Sequence, residues 1–245
     1  MKLRVLAVVP ALDEAEHIAE VMRSMPAFVT HIVLVDDGSR DDTAAIALAA
    51  DARCEVVSHA RPRGVGAAIA RGYERARELD VDAAVVLAGD AQMDPRDLSA
   101  LLAPIAEGRS DYVKGCRFAW PGGLVAFPTS RLVGGVVFST LTRLATGLDV
   151  DDTQCGYTAI SRRALDAIEW SDAWPGYGYP NDLLLRCARL GLRVAEVPVR
   201  PVYAGEASGL RARHLPRIVG HLLRAIVARA TTRGAGALAR LTRQR

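Results

Sequence analysis

Apolar residues in the first 90 positions or so alternate between two patterns. Short continuous runs, RVLAVVP (4–10), HIVLVDD (31–37), CEVVSH (54–59) and DAAVVLA (82–88), read as buried strands. Between them, AEHIAEVMRSM (15–25), DDTAAIALAAD (41–51) and GAAIARGYERAREL (66–79) read as helices, the first with apolar positions at Ile18, Val21, Met22 and Met25. Strands that are apolar on both faces and joined by helices form a parallel sheet with right-handed crossovers. The expected fold class over about residues 1–115 is therefore α/β and doubly wound, with helices on both faces.

The second half is less regular. SRLVGGVVFSTLTRLATG (130–147) is apolar enough for a helix, although Gly134 and Gly135 each weaken it by roughly 1 kcal/mol relative to Ala. Close approach of a partner or a membrane explains such a pair, and so does ordinary helix packing. FAWPGGLVAFP (118–128) reads as a Gly- and Pro-rich loop suited to a lid. DLLLRCARLG (182–191) reads as a helix stopped by Gly191, with Asp182 as a cap in the plainest reading. In RHLPRIVGHLLRAIVARA (213–230), Leu215, Ile218, Val219, Leu222, Leu223, Ile226 and Val227 fall on one side, and Arg213, Arg217, His221 and Arg224 on the other. Such a helix either docks on the sheet as part of the core or lies on an anionic membrane surface.

Composition narrows the class. A chain of 245 residues, half of them hydrophobic, can bury one large core, and its formal charge of +3 gives no support to nucleic-acid binding. From Arg211 onward there are many Arg and two His but no acid, so the C-terminus is the basic end. The four cysteines, Cys54, Cys116, Cys155 and Cys187, are scattered without a C-x-x-C pair, which points to reduced thiols in the cytoplasm and not to a zinc site. No signal peptide is expected, and no apolar stretch reaches the roughly 20 residues that span a bilayer.

The chemistry lies after the strands. PALDE (10–14), DDGSRDDT (36–43), HARPRGVG (59–66) and GDAQMDP (89–95) follow the four runs in turn, and in a parallel sheet those loops meet at one edge. Three are acidic and one is basic with two glycines, a mixture suited to a nucleoside, a diphosphate and a divalent cation held side by side. Neither G-x-G-x-x-G nor a P-loop is present. Helix capping is the competing explanation: Asp13 with Glu16 forms a capping-box pattern, Ser39 or Asp41 suits the second helix, and Asp94 precedes Pro95. Capping needs one oxygen per helix, however, and Asp36, Asp37, Asp90 and Gln92 are surplus to it.

The ordered motifs VVPALDEAEHI, VLVDDGSRDDT, RGVGAAIARGY, GDAQMDP, DYVKGCRF, DTQCGYTAI, YGYPNDLLLR and VPVRPVYAGEASGL cover about residues 5–210, and together they resemble glycosyltransferase family 2 with the GT-A fold, in particular its polyprenyl-phosphate sugar transferase-like branch. The resemblance implies a GT-A unit over 1–210, with a nucleotide-binding half to about 115 and an acceptor half from 116, followed by a basic amphipathic segment over 211–245. It implies a nucleoside-diphosphate sugar donor held by Pro10, Ala11, Asp13, Glu14, Asp36, Asp37, Arg63, Gly64 and Asp90. A Mg2+ or Mn2+ ion would take Asp90 and Gln92. The family's D-x-D-x-Q pattern falls on Ala88, Gly89, Asp90, Ala91 and Gln92, so the first aspartate is missing and metal dependence is put in question.

In that setting the resemblance makes Lys114, Arg117, Arg131, Gln154 and Arg211 candidates for binding phosphate or acceptor. Asp182, in the family's acidic base motif, is the first candidate base, although the usual Glu-Asp pair is Asn181-Asp182 here; Asp152 is the second. If the acceptor is a lipid phosphate, its oxygen is already anionic at neutral pH and no strong base is needed. Tyr157, Tyr177, Tyr179, Trp170 and Trp174 are read as packing aromatics before sugar platforms. The implied activity is an inverting sugar transfer, with contact to the inner face of a membrane for a lipid acceptor. A sugar-nucleotide-binding protein with little catalysis is the alternative that Ala88 leaves open, and a nucleotidyltransferase is disfavoured because no glycine-rich loop follows strand one.

Overall fold

The computed structural model describes residues 3–123, 129–202 and 214–242, the side chains of 129–131 and 232–242 excepted. The apolar runs form strands β1 (Val5–Ala11), β2 (Val29–Asp36), β3 (Cys54–Ser58) and β4 (Ala83–Val86), followed by β5 (Tyr112–Cys116), β6 (Thr158–Ser161) and β7 (Val194–Pro198). Helices α1 (Ile18–Ser24), α2 (Thr43–Ala50), α3 (Val65–Glu78) and α4 (Leu98–Ala106) connect the first five strands; α5 (Thr129–Thr146), α6 (Arg162–Ala167), α7 (Tyr179–Arg189) and α8 (Leu215–Thr242) follow.

One seven-stranded sheet takes strands from both halves, in the order β3-β2-β1-β4-β6-β5-β7. β1 pairs in parallel with β2 and β4, β2 with β3, and β5 with β7, while β6 runs antiparallel between β4 and β5. The sheet is thus mostly parallel, with helices on both faces, as the hydrophobic pattern predicts.

Alternation along the strands divides the core. Val5, Ala7 and Val9 of β1 join Ile18, Met22, Leu98 and Leu101 on one face, and Leu6 and Val8 join Ala68, Ile69, Tyr73 and Leu184 on the other. A third cluster lies between helices: Ile218, Leu222 and Ala225 of α8 pack on Phe138 and Ala145 of α5 and Leu185 of α7. The last helix therefore docks on two helices and not on the sheet. Its apolar stripe is narrower than the sequence suggests, since Leu223 and Val227 are 49% and 63% exposed. His221 leaves the basic face to which its spacing assigned it and turns inward toward Asp182. The glycine pair in α5 has a packing explanation in one member, because a Cβ on Gly135 would stand 3.1 Å from Cζ of Phe118.

Helix α3 crosses β1 at Gly72, where a Cβ would fall 2.2 Å from Cγ1 of Val8. Gly72→Ala is expected to overpack this contact and lower stability by roughly 1–3 kcal/mol, read as a lower urea midpoint at unchanged slope.

Candidate active site

The four leading strands end at one edge of the sheet. Ala11 stands opposite Asp36, and Asp36 opposite Ser58. Backbone bonds carry the alignment past the strand ends: Asp37 N donates to Ala11 O (2.9 Å), His59 N to Asp36 O (2.9 Å) and Gly89 N to Pro10 O (3.2 Å). Pro10, Ala11, Asp36, Asp37, Gly64 and Asp90 are thereby brought to one region, with Asp13, Glu14 and Arg63 on the adjoining loops.

The acids there are largely engaged in holding the loops together. Asp37 is 4% exposed, and a carboxylate at that depth requires donors. It has three: His59 Nδ1 (2.7 Å) and Arg63 N (2.9 Å) donate to Oδ1, and Gly64 N (2.7 Å) donates to Oδ2. The turn between β3 and α3 is thus pinned to the end of β2. Asp36 Oδ1 accepts from Ser39 N, and Asp13, with φ 57°, takes Arg40 N on Oδ1 while its own N–H donates to Ser39 Oγ. Glu14 N donates to Thr43 Oγ1. The capping box expected of Asp13 and Glu16 is not formed, since His17 holds the N-cap position of α1 and makes no side-chain cap. Asp41 does accept from Thr43 N (3.1 Å), and Asp94 caps the short turn at Pro95 through Arg96 N (2.9 Å).

The other wall of the β3–α3 turn comes from the second half. Gly64 has φ 105°, and a Cβ on it would meet Pro175 O at 2.5 Å; one on Gly66 would meet Trp174 O at 2.1 Å. Ala67 N donates to Pro175 O (3.0 Å). Both glycines of RGVG are needed for this close approach.

The loop after β4 carries the candidate metal donors. Asp90 and Gln92 are half-buried, Asp90 Oδ1 accepts from Gln92 N (3.1 Å), and Ala91 between them has φ 58°. Tyr157 Oη donates to Asp94 O (2.7 Å), and Arg200 Nη1 to Asp94 Oδ2 (2.9 Å), so the loop is braced from the residue ahead of β6 and from the segment that follows β7. Arg200 also lies over the Trp120 ring at 5.1 Å. Among the described residues no three His, Cys, Asp or Glu side chains converge on one point. A carboxylate and an amide oxygen still suit a hard cation that keeps water and takes its other ligands from a diphosphate, so Asp90 and Gln92 fit Mg2+ or Mn2+.

The acceptor-half candidates lie at a second cluster. Asp152 is 1% exposed and bound to Arg117 through N (3.1 Å) and Nε (2.7 Å) on Oδ2 and Nη2 (2.9 Å) on Oδ1. Lys114 is wholly buried, donates to Cys155 O (2.6 Å), and has its pKa lowered by that burial. Opposite it on β7, Glu196 accepts Asp151 N (2.6 Å) and Asp152 N (2.9 Å), while burial pushes its carboxyl up to about 7. Gln154 Nε2 donates to Asn181 Oδ1 (3.1 Å), which also takes Thr142 Oγ1 (2.9 Å). Asp182 is not the helix cap, because α7 starts three residues earlier; its Oδ2 accepts Trp174 N (3.2 Å) and Arg186 Nε (2.8 Å). Arg211 and the side chain of Arg131 lie outside the described residues, as do 124–128 of the expected lid.

The aromatics mostly pack. Trp170 lies 4.8 Å from Tyr73 and donates Nε1 to Leu165 O, whereas Tyr177 is 42% exposed and stacks on His214. His59, Glu196 and Arg200 take no role from their sequence motifs, yet each braces the site. For His59 and Arg200 a signal was present, as each is a polar residue just beyond an apolar strand.

A mostly parallel sheet with four loops gathered at one edge, continued by an antiparallel strand and a second cluster, is the architecture of the GT-A fold. A family model described as glycosyl transferase family 2 matches residues 6–169, and the chain belongs to that family. It is similar to the UDP-N-acetylglucosamine–dolichyl-phosphate N-acetylglucosaminyltransferase of Methanococcus voltae, 28% identical over 212 residues, covering 80% of this chain and 84% of the relative. It is also similar to the polyprenol monophosphomannose synthase of Mycolicibacterium smegmatis, 32% identical over 206 residues, covering 80% and 76%. Among solved structures, glucosyl-3-phosphoglycerate synthase of Mycobacterium tuberculosis in complex with Mn2+, UDP-glucose and phosphoglyceric acid superposes with a TM-score of 0.69 at 25% identity, covering 93% of this chain and 79% of that one.

Asp94 gives a pH test. Arg96 first, and Arg200 with it, hold its carboxyl at about 2 against an ordinary value of 3.8. A depressed folded pKa contributes stability above the unfolded value that is lost as pH falls through the folded one. Asp94→Asn is therefore expected to melt below the parent at pH 7, with the gap closing between pH 3.8 and about 2, followed by circular dichroism melts across that range.

Proposed function

We propose that the protein is an inverting hexosyltransferase that moves a sugar from a nucleoside-diphosphate sugar to a polyprenyl phosphate or similar membrane-borne acceptor. The observation that carries this reading is the convergence of the four leading strand ends on one sheet edge, with Asp90 and Gln92 on the last of them. The nucleoside lies against Pro10, Ala11, Asp13, Glu14, Asp36 and the Arg63–Gly64 turn that Asp37 holds. Asp90 and Gln92 would hold Mg2+ or Mn2+, which would neutralise charge on the diphosphate. The similarity to polyprenol-phosphate transferases supports the lipid acceptor, and the Mn2+ and UDP-glucose bound by the structural neighbour support the donor and ion. Because the relatives are named as transferases, the binding-only alternative suggested by Ala88 is not favoured.

In the reaction, an acceptor phosphate oxygen forms a bond to the anomeric carbon from the face opposite the leaving group. The carbon–oxygen bond to the nucleoside diphosphate breaks, and that oxygen keeps the electron pair. Negative charge grows on the departing diphosphate, so cations near it favour the transition state over the ground state. Arg63, Arg117, Arg131 and Arg211 are the side chains proposed for the two phosphate groups, with Gln154 as a further candidate. Lys114, buried against Cys155 O, sets the acceptor loop from beneath. A phosphate acceptor is already ionised, which removes the need for Asp152 or Asp182 to take a proton.

Residues 1–210 form the proposed transferase unit, and 211–245 its basic edge. No helix among the described residues is long and apolar enough to cross a membrane. Leu223, Val227, Arg217 and Arg224 are all exposed on α8 and suit the inner, anionic face of a bilayer.

Incubation with UDP- and GDP-linked sugars, Mn2+ and polyprenyl phosphate is expected to release nucleoside diphosphate only when the lipid phosphate is present. Release that ignores the lipid would point to another acceptor, and no release from any donor would refute the reading. Restoring the first acid by Ala88→Asp is expected to lower the Mn2+ concentration for half-maximal rate by about tenfold, taking one added carboxylate ligand as roughly 1.4 kcal/mol. Binding to anionic liposomes at low salt, lost at high salt, is the matching test of α8.

A further inference from the structure

We propose that α8, acting through His221 and Asp182, positions the Trp174–Gly178 turn that walls the donor side of the site, so that Asp182 is a positioning residue for donor binding and not the base. The proposal rests on the reading of the sheet edge as a nucleotide-sugar site.

The contacts form an unbroken series across the molecule. His221 stands on α8 with Nε2 3.5 Å from Asp182 Oδ1 and its ring 5.2 Å from that of Trp174. His214, seven residues earlier and just ahead of α8, stacks on Tyr177, so the chain entering α8 and α8 itself each bring one histidine to the same turn. Asp182 Oδ2 holds Trp174 N and Arg186 Nε, and Arg186 in turn binds Asp172 Oδ1 (2.7 Å) and the carbonyls of Glu169 and Asp172. The far side of the turn presents Trp174 O and Pro175 O to Gly66, Gly64 and Ala67 N. Those residues begin α3, and the same Gly64 is bound by Asp37 at the end of β2. The donor-side turn is thus clamped between Asp37 and a segment whose position Asp182 and His221 set.

A carboxylate in this arrangement is poorly suited to proton abstraction. One oxygen is shared by a backbone amide and a guanidinium, and the other faces the C-terminal helix; the residue is 7% exposed. A general base must reach the acceptor proton. Asp182 presents Oδ2 to Trp174 N and Arg186 and Oδ1 to α8, and its bond to Trp174 N leads to the strand ends in two steps.

The test uses the full chain with His221→Ala, His221→Phe and Asp182→Asn. Loss of the His221 ring from Trp174, or of the Asp182 charge opposite Arg186, is expected to raise the KM for the donor sugar by about five- to tenfold with kcat within about twofold. His221→Phe, which keeps a ring over Trp174, is expected to recover most of the His221→Ala effect. A fall in kcat of roughly 10²-fold or more in Asp182→Asn at unchanged donor KM would overturn the proposal, because that is the signature of a lost base. Hydrogen exchange without any ligand provides the second measurement. Faster exchange of residues 64–68 in His221→Ala is expected, and unchanged exchange there would break the linkage whatever the donor proves to be. Failure of every nucleotide sugar to react, with the exchange result intact, would instead count against the function alone.

Discussion

A parallel strand cannot return to its neighbour through a tight turn, and that constraint shapes everything else in this molecule. Each of the first four strands must be followed by a crossover, so each leaves the sheet at the same edge and re-enters at the other. Four loops are collected at one edge before any side chain is chosen. What the sequence adds is the means of holding them there: a buried carboxylate, Asp37, that cannot remain without donors and finds them on His59, Arg63 and Gly64. The desolvation of one acid thereby fixes the geometry of a turn 26 residues away.

This explains why the surplus of acids at the strand ends is real while its use is mixed. Asp36 binds Ser39 N within its own loop, whereas Asp13, Asp37 and Asp41 each bind backbone amides of a neighbouring loop. They are neither simple helix caps nor free ligands; they connect loops. A site assembled this way is preorganised, because its donors and acceptors are already satisfied before a ligand arrives. The loop after β4 differs in that Asp90 and Gln92 sit on a local turn with Ala91 in the left-handed region, a conformation that costs a non-glycine residue of order 1–3 kcal/mol.

The strands, the helices and the shared edge were legible from apolar runs and their spacing, since burial on two faces leaves a continuous signature. The braces were not. Glu196 meets Asp151 and Asp152 across 44 or 45 residues, and Arg200 meets Asp94 across 106, distances over which no periodicity carries information. His221 was misread for a related reason. A helical wheel assigns sides by hydrophobicity, but α8 packs on α5 and α7 along a narrow seam of Ile218, Leu222 and Ala225, and His221 borders that seam with Nε2 3.5 Å from Asp182 Oδ1. Asp182 itself looked like a cap because the start of α7 at Tyr179 lies in a Gly- and Pro-containing segment without helical periodicity.

The acceptor half follows the same logic with the signs distributed differently. The loop 150–155 is held by Glu196 from β7, by Lys114 from β5, and by Ser139, which donates to Asp151 O (2.6 Å) and accepts Thr153 N (3.3 Å), and Arg143, whose Nε donates to Val150 O (2.9 Å), from α5. Two cations, Lys114 and Arg117, and two acids, Asp152 and Glu196, are buried or half-buried within that cluster, and removing any one leaves its neighbours short of a counter-charge or a hydrogen bond. Arg117 is therefore presented in a fixed orientation by Asp152, whose carboxylate binds both its guanidinium and its backbone N–H. An anion approaching Arg117 meets a guanidinium that has little rotamer freedom left to lose, and binding there costs less ordering entropy than it would at a free surface arginine. That difference separates an arginine held by a buried carboxylate from one that merely contributes to the net charge.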